Sequence, residues 1–137
     1  MKGFRFLIVF LLVVMVVSGC SKSSEVAREK GKSDHWKAEY IITHEEDAES
    51  YMILFNLSFT DPSQVVYDMA YDITSEGIGP QLSGSSTSSD KSGKTSTLIN
   101  NTISTSISMY RLPEEGKKIT LTIKWNGDKQ EKIILIP

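Results

Sequence analysis

The chain holds one cysteine, Cys20, and two histidines, His35 and His44, in 137 residues. A lone thiol excludes an intrachain disulfide and a cysteine-based zinc cluster, and two imidazoles cannot make a three-histidine metal site. Only one long apolar run exists, the twelve residues Phe6 to Val17. As a helix it covers about 18 Å against a hydrocarbon core of about 30 Å, too short for a permanent transmembrane span. A basic face is missing as well. Asp34 to Pro137 carries 9 basic and 15 acidic side chains, a net of −6, which argues against nucleic-acid binding and for a solvated, soluble surface. What is present is ordinary: 39% hydrophobic and 23% charged residues, the composition of one globular domain.

The amino terminus reads as an export signal. Lys2 and Arg5 precede Phe6 to Val17, and the small residues Ser18 and Gly19 follow, in the n-region, h-region and cleavage-site order. The tetrapeptide Val17-Ser18-Gly19-Cys20 resembles the lipobox of bacterial lipoproteins. That resemblance implies diacylglyceryl transfer to the Cys20 sulfur and cleavage before it, leaving a mature chain of 118 residues (137 − 19). Two acyl chains on one residue suffice for stable anchoring where one is marginal. Residues 1–19 are thus expected to be a signal peptide, and Cys20 the lipidation site with no catalytic or redox duty.

Cys20 to Ser33 (CSKSSEVAREKGKS) is polar and aperiodic, so the expectation is a flexible tether of roughly 20 Å with at most a helical turn around Glu25 to Lys30. Its net charge of +2, from Lys22, Arg28, Lys30 and Lys32 against Glu25 and Glu29, suits a segment beside anionic headgroups.

From residue 34 the pattern is period two. Trp36, Ala38, Tyr40 and Ile42 alternate with Lys37, Glu39 and Thr43, and Tyr51, Ile53, Phe55, Leu57 and Phe59 with Asn56, Ser58 and Thr60. Val65, Tyr67, Met69, Tyr71 and Ile73 follow the turn Asp61-Pro62-Ser63. Ser83 to Ser108 contains 15 Ser or Thr in 26 residues, which suggests a flexible loop passing into a strand near Thr95. Ile99, Ile103 and Ile107 sit four apart, yet the surrounding Ser and Thr disfavour a helix, and Ile103, Thr105, Ile107 and Met109 alternate as in a strand. Ile119, Leu121, Ile123 and Trp125 run into Asn126-Gly127, a strong hairpin signal. In the last strand a two-residue loop sets Ile134 opposite Ile119, whereas one extra residue puts Ile133 and Leu135 on that face; four consecutive apolar residues suggest cover on both sides. About seven strands without an amphipathic helix imply an all-β, immunoglobulin-like antiparallel β-sandwich over residues 34–137, with a small barrel as second choice. The Trp36 strand and the C-terminal KITLTIKWNG hairpin resemble those of small lipoproteins of Gram-positive bacteria, a family that brings no catalytic residues with it.

Candidate chemistry is sparse. Ser92-Gly93-Lys94-Thr95 resembles the end of a phosphate loop, but Ser88 replaces the first glycine and neither strand nor helix flanks it, so a loop tip is favoured. Glu45, Glu46, Asp47 and Glu49 gather between the first two strands without the alternation or glycine of a calcium loop; a solvated hairpin tip is expected, with weak divalent binding as the alternative. His35 and His44 belong to no metal motif and read as surface or strand-end residues. Asp68 and Asp72 on one strand stand about 13 Å apart, too far to act as paired carboxylates. Trp36 and Trp125 are expected core anchors; either one exposed beside Tyr40, Tyr67 or Tyr71 would instead form an aromatic binding platform. These readings favour a non-enzymatic interaction module without metal or cofactor, held by lipid at the outer face of the cytoplasmic membrane and binding a protein, peptide or envelope component. The alternatives are a small extracytoplasmic hydrolase or metal-dependent enzyme built on His44, Glu45 or Asp68, and a structural accessory of an envelope complex.

Overall fold

The computed structural model describes residues 23–88 and 96–137. They form eight strands: β1 (Ser23–Lys32), β2 (Trp36–Glu45), β3 (Tyr51–Phe59), β4 (Asp68–Ser75), β5 (Leu82–Thr87), β6 (Thr102–Met109), β7 (Ile119–Trp125) and β8 (Lys129–Leu135). Two antiparallel sheets, β1-β2-β3-β6 and β5-β4-β7-β8, face each other. The result is an immunoglobulin-like β-sandwich, with one strand more than the expected seven.

Inward side chains from both sheets fill the space between them. Trp36, Tyr40, Ile53, Phe55 and Leu57 meet Ile73, Leu121, Ile123, Ile133 and Leu135, all at most 2% exposed. At one end Trp36 and Trp125 cross edge to face at 5.7 Å, with Phe59 5.1 Å from Trp36, a geometry that suits ring quadrupoles. Both tryptophans are therefore core anchors, and the aromatic-platform reading falls with them. Burial also pushes the Tyr40 phenol far above its ordinary pKa.

Four expectations are corrected. First, Ser23–Lys32 is a strand, not a flexible tether: it pairs with β2 from Ser23↔Glu45 to Lys32↔Lys37, with a bulge at Val26. Its inward positions are Ala27, Glu29 and Gly31, lying opposite Ile42, Tyr40 and Ala38. Gly31 is required by contact, because a Cβ there would stand 2.5 Å from Ile133 Cγ2 and 2.8 Å from Leu135 Cδ2. Second, part of the Ser/Thr-rich stretch is β5, paired with β4; its Gly84 lies against the phenol of Tyr71. The chain then turns tightly at Asn100 and Asn101, both at positive φ, into β6.

Third, β4 starts at Asp68 rather than Val65. The Asn126 side chain accepts from Tyr67 N–H (3.0 Å) and donates to the Val65 carbonyl (2.7 Å), which diverts those backbone groups from the ladder and turns Val66, not Val65 or Tyr67, into the core. Fourth, Trp125 pairs with Lys129, so residues 126–128 form the turn and Ile133 and Leu135 face inward. Ile134 is left 54% exposed, and the last strand is covered on one face only.

Gly31 supplies a test of β1 as part of the domain. Gly31→Val drives a branched side chain into buried Ile133 and Leu135 and should lower the unfolding free energy by about 1–3 kcal/mol. Urea denaturation measures this; an unchanged midpoint would mean that residues 23–32 do not pack on β8.

Candidate functional site

A histidine and a carboxylate meet where the β1–β2 turn crosses β8. Ser33 N–H donates to the Trp36 carbonyl (2.9 Å) and closes the turn, placing His35 over the sheet end. There His35 Nδ1 lies 2.5 Å from Glu131 Oε1 and its backbone N–H donates to Oε2 at 3.0 Å. The imidazole stacks on Phe59, centroids 6.3 Å apart, and tilts against Trp125 at 5.8 Å. Desolvation alone would raise the Glu131 pKa. The Ser33 hydroxyl beside it and the two His35 contacts more than offset this and hold the carboxyl below its usual range. Among the described residues Ser33 Oγ makes no hydrogen bond of good geometry, so serine and histidine converge on the carboxylate without forming a serine–histidine relay. The arrangement latches the first hairpin onto the opposite sheet.

A second cluster covers the outer face of β1 and β2. Arg28 forks onto Glu25 (2.7 and 3.0 Å) and reaches Glu39 at 2.5 Å, with Lys30 at 3.4 Å from the same carboxylate. Despite desolvation, these cations and the Asn56 amide hold the Glu39 carboxyl below its ordinary value. Lys32 and Lys37 stand directly opposite each other in the register. The Ser33–Trp36 bond fixes the ladder phase so that this is a non-hydrogen-bonded pair, where side chains approach most closely. Like charges there repel. With Lys30, Glu39, Asn56 and Ser58 they rim a shallow groove of about 590 Å³, and an anionic group bridging the lysines would relieve that repulsion.

The candidate residues named from the sequence are mostly kept apart. Glu45, Glu46, Asp47 and Glu49 are exposed at the β2–β3 hairpin tip, and among the described residues no group of three or more His, Cys, Asp or Glu is placed to hold a metal ion. His44 Nε2 meets the Ala48 carbonyl at 2.9 Å and its ring lies 4.7 Å from Tyr51; neither contact brings it to Glu45 or Asp68. Asp68 Oδ1 is buried without a hydrogen-bond partner among the described residues, in a second shallow cavity that Lys124, Ser85 and Thr87 also line. Cys20 and Ser92–Thr95 lie outside the described residues. The His35–Glu131 pair escaped sequence reasoning because its members are 96 residues apart and neither sits in a motif. The Lys32–Lys37 pair is signalled only once Ser23–Lys32 is recognised as a strand. No family model, curated protein or solved structure matches the chain.

The pH dependence of stability should report the Glu131 latch. Folding lowers the pKa of this carboxyl, so its contribution is present above about pH 4.3, the ordinary glutamate value, and is lost as the pH falls through the folded-state value. Glu131→Gln should therefore flatten the loss of stability between about pH 5 and about pH 3, measured by urea unfolding at each pH; an acid limb as steep as wild type would show that the latch carries no charge.

Proposed function

We propose that this protein is a lipid-anchored, extracytoplasmic, non-enzymatic interaction module. The observation that carries the reading is positional. The lipobox-like Val17-Ser18-Gly19-Cys20 ends only three residues before β1 begins at Ser23. Three residues of extended chain span at most about 11 Å, so an acylated Cys20 would hold the sandwich against the membrane instead of letting it swing on a long leash. The strand next to the anchor carries Arg28, Lys30 and Lys32, and Lys37 adjoins them on the same outer face. Basic side chains at an anionic surface contribute about 1 kcal/mol each; with Arg28 and Lys30 already paired to Glu25 and Glu39, Lys32 and Lys37 carry most of that attraction. In this reading the lysine-rimmed groove is the binding surface, and it takes anionic groups, whether on an envelope component, a peptide or a lipid headgroup.

Mass spectrometry of the chain purified from its natural host tests the anchor. The expected product begins at Cys20 and carries a diacylglyceryl group, and Cys20→Ala should move the protein from the membrane to the soluble fraction. An intact, unacylated amino terminus would overturn the proposal.

A further inference from the structure

We infer that β6 is a self-association edge, through which two copies of this chain pair antiparallel about a two-fold axis at Thr105 and join their sheets into one of eight strands. Of the four edge strands β1, β5, β6 and β8, only β6 lacks charge, proline and glycine alike, since the uncharged β5 is interrupted by Gly84. β1 carries Glu25, Arg28, Glu29, Lys30 and Lys32, and β8 carries Lys129, Glu131 and Lys132; charged edges resist pairing with another chain. Those two strands also pack on each other at the closed side of the sandwich. β6, in contrast, is TISTSISM, eight residues without charge, proline or glycine, and among the described residues it pairs on one side only, with β3.

Its sequence is self-complementary. Ile103-Ser104-Thr105-Ser106-Ile107 reads the same in both directions about Thr105, with hydroxyl residues Thr102 and Ser108 outside it. An isologous interface needs this property, since each residue i that meets j must also meet it in the reverse sense. In the register centred on Thr105, Ile103 opposes Ile107 of the second copy, Ser104 opposes Ser106, and Thr105 opposes itself.

The backbone phase agrees independently. The Phe59 N–H donates to the Asn101 carbonyl at 2.8 Å, on the same register line as Phe55↔Thr105. By alternation Ile103, Thr105 and Ile107 spend their backbone groups on β3, and Ser104, Ser106 and Ser108 aim theirs outward. Pairing about Thr105 matches outward groups with outward groups, Ser104 with Ser106 of the second copy and the reverse. A register shifted by one residue would not. Ile103 and Ile107, only partly buried against the core in one chain, then meet their counterparts at non-hydrogen-bonded positions and lose further exposure.

A two-fold axis perpendicular to the sheet reverses strand direction, so two anchored copies reach one membrane only when the joined sheet lies along it. That consequence rests on the lipid-anchor reading, whereas the dimer itself does not.

Register-specific crosslinking of the full chain in its membrane tests the pairing. Thr105→Cys places two thiols directly opposite at a non-hydrogen-bonded pair, within the span of a disulfide. Mild oxidation should convert it to a covalent dimer at least about tenfold faster than Ser106→Cys, with the parent chain, whose only cysteine is Cys20, as the baseline. Ser106→Pro, which removes an outward N–H and spares the β3 ladder, should abolish the link when added to Thr105→Cys. Absence of a Thr105→Cys link above the baseline, equal linking at positions 105 and 106, or a link that survives Ser106→Pro in a chain with an unchanged melting temperature would each overturn the inference. Success here alongside an unacylated Cys20 would retain the dimer and discard the anchor.

Discussion

The close approach of β1 to β8 at Gly31 is the constraint on which the arrangement rests. No side chain fits between Gly31 and the buried Ile133 and Leu135, so the backbone itself caps that flank of the sandwich. From this contact the remaining features follow in order. The turn after β1 is carried over the sheet end, His35 meets Glu131, and the aromatic cluster of Trp36, Phe59 and Trp125 is closed from above by the imidazole. Because the segment after Cys20 is spent on a strand, little chain remains between the lipobox-like motif and the domain.

The elements legible in the sequence are those whose inward positions are large and apolar. β2, β3 and β7 alternate Trp, Tyr, Ile, Phe and Leu against residues that are polar apart from Ile41, Met52 and Leu54, and period two is visible without any tertiary information. β1 and β5 escape for a shared reason. Their inward positions, Ala27, Glu29 and Gly31 in one and Leu82, Gly84 and Ser86 in the other, are mostly small or polar. Those positions face a neighbour too close for bulk, Ile133 and Leu135 in one case and the Tyr71 phenol in the other. Tight packing thus erases the hydrophobic signal that would have announced the strand. Asn126 explains a different miss: a turn residue 61 positions away captures the backbone of Val65, shifts the start of β4, and leaves no trace in local propensity.

The candidate sites show the same division. The proposed lipidation of Cys20 could be read without a fold, because a lipobox is a signal in linear sequence. The Lys32–Lys37 juxtaposition and the His35–Glu131 pair depend on register and sheet packing, and no window of sequence contains both partners in a recognisable spacing. Edge chemistry lies between the two, since the absence of charge from TISTSISM is plain in the sequence but its position at an open edge is a property of the fold.

Amide hydrogen exchange of the full chain tests the central claim that residues 23–32 are an integral strand. The Ser33–Trp36 bond sets the ladder phase, so the N–H groups of Ala27, Glu29 and Gly31 point at β2 and should be protected, while those of Arg28, Lys30 and Lys32 point away and exchange quickly. Uniform exchange at the rate of an unstructured peptide across all six positions would contradict the account and return this segment to the role of a loose leash.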